Sequence, residues 1–452
     1  MSINPNEILK TIKRKGIDQA EVYYSSSSAL KIDVIDQKVE SIDKISNVGI
    51  GIRIIKDKKL GFAFTSEFDE TILDHTIDWA IANANNSASD EFITLPSPSN
   101  PNHLPAGRQV QPSNHLYDPT INSTPIAKKT ELALKIEAVA HAYDKRVKKT
   151  EKITYSDSEH EIWIVNSNGL DVKYQSNHCG AIAMVMATED GQMESGTGMN
   201  YVKKLAELKA EEIGIEAALK AVELLNPKPI SSQKIPIILD PISAAELIEV
   251  LVGPLSAEAV QKGKSLFANR LGKMVGAKAL KIIDNGMLLN QIGTAPFDDE
   301  GTPCQKTILI DDGILTNYLQ NAYTAKKGNT QSTGNATRGG FKTLPAIGPT
   351  NLYIEPGKKS QSEIVKAINK GLLVTRLMGI HTINPISGDF SIGAAGLVIE
   401  NGKITHPVRG ITIAGNIIDM LESIEEVASD LRFIGNVGAP SLLINHISIS
   451  GS

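Results

Sequence analysis

A chain of 452 residues with 41% hydrophobic and 21% charged side chains has room for two or three domains and enough apolar material for a sizeable core. Its net charge of −5 and pI near 6.0 carry no basic footprint, which excludes nucleic acid as an expected partner. The two cysteines, Cys179 and Cys304, lie far apart and outside any Cys-x-x-Cys spacing, which suits a reducing compartment. Met1–Lys15 has no apolar h-region and no stretch approaches a membrane-spanning length, so the expectation is a cytoplasmic protein with no membrane partner.

In chain order, Asn4-Pro5 starts a helix, as N-cap and first-turn proline, and Gly16 stops it. Strand-like runs follow at Ala20–Tyr24, Ala29–Ile35, Val48–Ile55 and Leu60–Phe64, with a turn at Asp57-Lys58-Lys59. The apolar stripe Ile72, Leu73, Ile77, Ala80, Ile81, Ala84 predicts a helix from about Asp69 to Asn85. Residues 90–125, with Pro96, Pro98, Pro101, Pro105, Pro112 and Pro119 among Ser and Asn, read as a surface loop. His103 and His115 in that loop read as solvated side chains rather than a metal pair.

The order then repeats. A helix from about Ile126 to Asp144 precedes strands at Lys152–Tyr155, Glu161–Val165, Leu170–Tyr174 and Gly180–Ala187, with turns at Asn168-Gly169 and Asp190-Gly191. A long helix is predicted from about Val202 to Leu225. Tyr24-Ser25-Ser26 matches Tyr155-Ser156-Asp157, and Gly49 matches Gly180. The expectation is a duplicated helix, antiparallel sheet, helix unit, with 5–88 corresponding to 126–225.

From Ile235 the texture becomes β-rich. Pro236–Leu239 reads as a buried strand, and Asp240-Pro241 opens a helix that ends at Gly253-Pro254. A further helix is predicted from about Ser362 to Met378. Leu397–Glu400, Asn401-Gly402 and Lys403–Val408 read as a β-hairpin, because a two-residue turn of that type needs φ > 0 twice; Pro407 marks an edge or strand end. The whole is an α+β protein: an N-terminal domain over 1–230, including the Pro-rich loop 90–125, and a β-rich C-terminal domain over 231–452.

Three blocks carry a resemblance. They are Phe297-Asp298-Asp299-Glu300-Gly301-Thr302-Pro303 with Thr307–Leu315, then Gly334-Asn335-Ala336-Thr337-Arg338-Gly339, then Gly388-Asp389-Phe390-Ser391 running to Ile411-Thr412-Ile413-Ala414-Gly415-Asn416. In this order they resemble the TldD/PmbA family, also described as the U62 peptidase or modulator-of-DNA-gyrase family. The catalytic branch of that family carries His-Glu-x-x-x-His on a helix, where two imidazoles hold zinc and the glutamate serves as general base. The stretch in that place here is Ala245–Pro254, with Glu249 as the counterpart of the glutamate; Ile248 and Gly253 stand at the histidine places. The branch also takes a cysteine ligand near its C-terminus, and Ile417–Ser452 has none; Ile434–Ser441 corresponds.

No replacement zinc site emerges. His160-Glu161 is followed by Ile164 and Val165 where a second histidine belongs, and His178-Cys179 would point to opposite faces of a strand. His381, His406 and His446 are isolated. Asp298, Asp299 and Glu300 are the best carboxylate cluster, open either to hard-metal binding or to a solvated turn. Cys304 has no local base, and Ser391 lacks a Gly-x-Ser-x-Gly setting.

The missing ligands place the resemblance in the PmbA/TldE-like branch. It implies a subunit of a two-component metallopeptidase acting on unfolded peptides, with no catalytic residue or cofactor in this chain and zinc in a TldD-type partner; a homodimer is the other expected assembly. Asn335, Arg338, Gly388, Asp389 and Ser391 are then peptide-cleft or signature residues, and exposed strand edges would take extended peptide. A stand-alone hydrolase with a metal at the acidic cluster, and a peptide-binding scaffold without hydrolysis, remain as alternatives.

Overall fold

The computed structural model describes residues 3–98 and 115–451. The first half runs α1 (Pro5–Arg14), β1 (Gln19–Ile35), β2 (Lys38–Lys56), β3 (Lys59–Thr65), α2 (Glu70–Asn86), a one-turn α3 (Pro119–Ser123), α4 (Ile126–Tyr143), β4 (Val147–Asn166), β5 (Asp171–Glu189), β6 (Gln192–Val202) and α5 (Ala210–Glu223). Its strands form one antiparallel six-stranded sheet in the order β3-β2-β1-β4-β5-β6. The sheet consists of two meanders joined back to back through β1 and β4, each flanked by a helix before and a helix after, which is the duplicated unit expected from the sequence.

Local chemistry explains the elements. Asn4 caps α1 by accepting from the Asn6 amide, and Asp69 caps α2 through Thr71. Both meanders turn on residues in the left-handed region, Asp57-Lys58 in the first and Asp190-Gly191 in the second. In both, a glycine in the third strand lets the following helix press onto the sheet. A Cβ on Gly61 would sit 1.9 Å from the Ala80 carbonyl oxygen, and one on Gly196 2.1 Å from that of Ala217. Each unit buries its own apolar cluster beneath its helices, around Ile50, Ile52 and Ile77 in one and Ile136, Ile153 and Ala217 in the other.

The strand runs predicted separately at Ala20–Tyr24 and Ala29–Ile35 are one strand, as are 152–155 with 161–165, and 170–174 with 180–187. The polar spacers Ser25–Ser28, Ser156–His160 and Gln175–His178 alternate between the two faces of the sheet, and those turned inward are paired: Asp157 accepts from Lys129 and Tyr155, and Asn177 bonds Asp118. The helix predicted from Val202 is instead the end of β6, a 3-10 turn at Leu205–Glu207 and the shorter α5, because β6 continues the ladder to Val202. Part of the expected 90–125 loop is structured. Asn166 Nδ2 donates to the Pro96 carbonyl, and Asp118 caps α3. His103, Pro101, Pro105, Pro112 and 106–111 lie outside the described residues.

The second half runs β7 (Gln233–Leu239), α6 (Pro241–Val250), α7 (Ala257–Gln261), β8 (Ile282–Asn285), β9 (Lys306–Asp311), β10 (Ile314–Leu315), α8 (Ala322–Lys327), β11 (Ala336–Thr337), β12 (Ala346–Ile347) and β13 (Leu352–Ile354). It continues α9 (Gln361–Ala367), β14 (Lys370–Met378), β15 (Asp389–Glu400), β16 (Lys403–Asn416), α10 (Ile417–Glu422), β17 (Ile424–Val427), β18 (Arg432–Ile434), β19 (Val437–Ala439) and β20 (Leu442–Ser450). One sheet is ordered β10-β9-β8-β13-β19-β18; the other is β16-β15-β14-β7-β20-β17, with β16 also meeting β20. One apolar core lies between these sheets and α6.

Asn401 (φ 50°) and Gly402 (φ 73°) make the expected hairpin turn between β15 and β16, and Pro407 lies on the part of β16 that β20 leaves unpaired. The helix predicted over 362–378 is corrected: α9 ends at Ala367 and Lys370–Met378 is strand. Leu372, Leu373 and Val374 pair in parallel with Ile237, Ile238 and Leu239, and that tertiary ladder overrides a helical apolar spacing.

Candidate functional site: helix α6 and the cleft beside it

The acidic run does not converge. Asp298 Oδ1 accepts from the Glu300 and Thr302 amides and Oδ2 from Ala336, while Asp299 accepts from Tyr23 Oη at 3.0 Å and the Arg338 amide at 2.7 Å. Glu300 accepts from Arg53 Nη1 at 2.9 Å and the Ala322 amide at 2.9 Å. Burial and the neighbouring Glu300 push the Asp298 carboxyl well above the usual range. The expectation of a solvated turn is corrected, since Asp298 and Glu300 are buried. As a hard-metal site the run also does not fit: among the described residues no three His, Cys, Asp or Glu side chains group to hold a metal ion.

Arg338 and Asn335 are internal. The Arg338 guanidinium pairs with Glu21 on β1 and stacks 4.4 Å above the Tyr23 ring. Burial opposes ionisation of Glu21, but Arg338 and Arg53 outweigh it and hold the carboxyl below its ordinary value. Asn335 Nδ2 donates to Asp284 at 2.7 Å and to the Gly348 carbonyl. Both side chains therefore fasten loops, Arg338 across the boundary between the halves. Asp389 and Ser391 are exposed at the start of β15, where Asp389 accepts from Asn416 Nδ2 at 3.0 Å, the bond that lowers its carboxyl below the usual range. Gly388 (φ 82°) turns the chain into that strand against Asn416. Structure brings Asn335 and Arg338 near the acidic run, and leaves Gly388, Asp389 and Ser391 as a separate group.

The remaining candidates are also separated. His178 stacks against His160 at 6.5 Å, and Cys179, on the opposite face, is fully buried. Burial and nearby Asp298 raise the Cys304 thiol well above its normal value, so it is a poor nucleophile. His115, His381 and His446 are exposed, and His406 is half-buried.

Helix α6 starts at Asp240, whose Oδ1 accepts from the Ser243 amide at 2.8 Å. The helix packs against β18 and β19, so the two segments that the resemblance assigns to zinc meet in space. The residues there do not fit the metal: Ile248 is a fully buried core side chain, Gly253 has none, and Val437–Ala439 offers no donor. Glu249 is exposed.

Beside α6 lies a cleft of about 670 Å³ between the halves, walled by Ile215, Leu219 and Lys220 of α5, Ile242 of α6, Thr375 of β14 and Ile404 of β16. A recess of about 170 Å³ shares Lys220, Ile242 and Thr375 and adds Glu246 and Arg376. Burial, with Asp240 and Glu249 nearby, lifts the Glu246 carboxyl to about 7. An ion pair braces the cleft wall: Arg432 Nη2 donates to Glu216 Oε2 at 2.7 Å. The cleft combines apolar walls with the charged side chains Glu212, Glu216, Glu223 and Arg432, and the raised Glu246 carboxyl lies in the adjoining recess. Sequence reading missed Glu246; its i, i+3 spacing to Glu249 was the available signal.

With this geometry in view, the chain can be compared with known proteins. Residues 20–84, 119–225 and 232–451 match, in order, domain 1, the central domain and the C-terminal domain of the PmbA/TldA metallopeptidases. The fold and the three matched segments together define a metallopeptidase-type α+β protein. The chain belongs to the TldD/PmbA family. It is 29% identical over 443 residues to the metalloprotease PmbA of Escherichia coli O157:H7, covering 96% of this chain and 92% of that one. A TldD homologue from Buchnera aphidicola is 25% identical, covering 98% and 95%. The crystal structure of a candidate DNA gyrase modulator from Thermotoga maritima superposes with a TM-score of 0.89 at 28% identity, covering 98% and 99%. TldE from Thermococcus kodakarensis shares the fold, with a TM-score of 0.86 at 24% identity over 99% of both chains.

Proposed function

We propose that this chain is the PmbA/TldE-type subunit of a TldD/TldE-type metallopeptidase, handling unfolded peptides while a TldD-type partner supplies the zinc. The observation that carries the reading is the meeting of α6 with β18–β19, where Ile248, Gly253 and Val437–Ala439 offer no metal donor. The cleft beside α6 supports a peptide role, since Ile215, Leu219 and Ile404 expose apolar surface along it among polar side chains. The dispersed carboxylates of Asp298, Asp299 and Glu300 weigh against a stand-alone metal hydrolase. A cytoplasmic setting and a two-domain division at 1–230 and 231–452 belong to the same reading.

The test is elemental analysis of the chain purified alone without chelators, followed by peptidase assays alone and mixed with a TldD-type protein. Near-zero metal, no activity alone and activity in the mixture are expected. One metal per chain with activity alone would overturn the reading, and binding of peptides with no gain in the mixture would mark a scaffold instead.

A further inference from the structure

Strand β2 outruns its neighbour on one side. β1 pairs with it from Lys38 to Ile55, whereas β3 joins only from Ile50, opposite Thr65, to Lys56. Among the described residues nothing pairs with the other edge of Lys38–Gly49, so its outward amides and carbonyls have no ladder. The same stretch exposes the large apolar side chains Val39, Ile42, Ile45 and Val48, with Ile45 58% exposed. The edge is anchored at its start. The Asp36 and Gln37 amides donate to the buried Glu137 carboxylate of α4 at 2.8 and 2.6 Å, which fixes the strand before any partner arrives.

Charges and bulges ordinarily protect a sheet edge. β2 has both: Glu40, Asp43 and Lys44 are exposed, and the ladder to β1 shifts register at Glu40, between the pairs Asp33–Ser41 and Val34–Val39. The order of the charges points to a partner. Around Ile42 the strand reads Val39-Glu40-Ser41-Ile42-Asp43-Lys44-Ile45, and residues equidistant from Ile42 complement each other. Two antiparallel copies related by a two-fold must place one residue opposite itself, because directly opposed side chains share a face. Centred on Ile42, Glu40 meets Lys44 twice, Val39 meets Ile45 twice and Ile42 meets itself. The second copy's Asp36-Gln37 turn then lies opposite Asn47-Val48, just short of β3. Other centres fail. Glu40, Asp43 or Lys44 would oppose a charge to itself, and Ser41 would oppose Lys38 to Lys44. A centre on Val39 leaves Ile45 unmatched, and one at Ile45 or beyond drives the second copy into Thr65.

We propose that the free edge of β2 pairs with the β2 edge of a second copy of this chain, antiparallel and centred on Ile42. The contact joins two six-stranded sheets into one and uses neither α6 nor the cleft beside it. It therefore goes beyond the subunit reading and does not rest on it.

The experiment is sedimentation velocity of the full chain purified alone, over a concentration series, with thermal melts to check that each variant folds. A concentration-dependent dimer is expected for the parent. Glu40→Lys and Lys44→Glu should each weaken it about ten-fold, since each turns two attractive cross-strand pairs repulsive. The double reversal Glu40→Lys/Lys44→Glu should restore the dimer, and the two single variants should associate with each other when mixed. Ile42→Lys, which opposes two ammonium groups at the axis, should leave a monomer. A monomeric parent overturns the proposal, whether its β2 edge amides exchange freely or are protected by another segment of the same chain. So does a dimer that the reversals leave intact, or a loss that neither the double reversal nor the mixture repairs. Association seen only with a TldD-type protein, and lost in Ile42→Lys, assigns the edge to that partner and overturns pairing with a second copy. Metal content and peptidase activity enter none of these outcomes, so the contact and the subunit reading fail separately.

Discussion

Arg53 on β2 bridges Glu21 on β1 and Glu300 in the second half: Nη2 lies 2.7 Å from Glu21 Oε2 and Nη1 2.9 Å from Glu300 Oε1, all three side chains buried. Arg338 closes the group by pairing with Glu21 from the other side. Removing one member of a buried charge group strands the others, at a cost of about 3–5 kcal/mol. Arg53→Met should therefore lower the urea midpoint markedly. Lys10→Ala, which removes an exposed pair with Glu7, should leave it in place. An unchanged midpoint in Arg53→Met would show that this group does not hold the halves together.

Lys203 gives a pH signature. Burial pulls its ammonium down to about 8 from 10.5. Between those values the unfolded chain binds more protons than the folded one, so stability rises with pH, and the penalty is fully present below 8. Lys203→Met should be more stable than the parent at pH 7 by about 3 kcal/mol, from 1.36 kcal/mol per pKa unit. That advantage should shrink as pH climbs from 8 to 10.5. Thermal melts of the two proteins across this range decide it, and a constant difference would contradict an ammonium pulled down by burial.

Glu246 has the opposite sign. Its carboxyl is raised from 4.5 to about 7, so over that window the folded chain binds more protons and stability falls as pH rises. The penalty is complete above 7 and absent below 4.5. Glu246→Gln should melt higher than the parent at pH 8 and lose that advantage by pH 4.5. Comparing the two melting curves at both pH values isolates this carboxyl from Asp284 and Asp298, which burial also raises.

The glycine contacts predict a contrast. Gly196→Ala places a methyl 2.1 Å from the Ala217 carbonyl oxygen and should cost about 1–3 kcal/mol by overpacking β6 against α5. Gly253→Ala, where a Cβ meets nothing within 4 Å, should leave the denaturation midpoint unchanged or higher. Equal midpoints for the two variants would argue against the close helix–strand approach.

Some of this molecule was readable residue by residue. Asp240-Pro241 and Asn401-Gly402 set a helix start and a hairpin turn through local backbone preference alone, and both stand where the sequence puts them. Ser25–Ser28 and Ser156–His160 read as interruptions because polar runs break alternation, yet each lies within a single long strand whose neighbours supply the ladder. Lys370–Met378 read as helix because its apolar spacing fits both periods, and only the parallel partner β7 decided between them.

The candidate site divides along the same line. Absent ligands are visible in a string of letters, so the lack of histidine at Ile248 and Gly253 needed no coordinates. That Asp298, Asp299 and Glu300 turn to separate donors, that Arg338 is spent on Glu21, and that Glu246 and Lys203 lose their water were decided by chain segments far away in sequence. Backbone preferences, duplication and family act through neighbours or through order along the chain, so sequence alone determined them. Burial, pairing and protonation depend on which distant surfaces meet, and only the tertiary structure decided them.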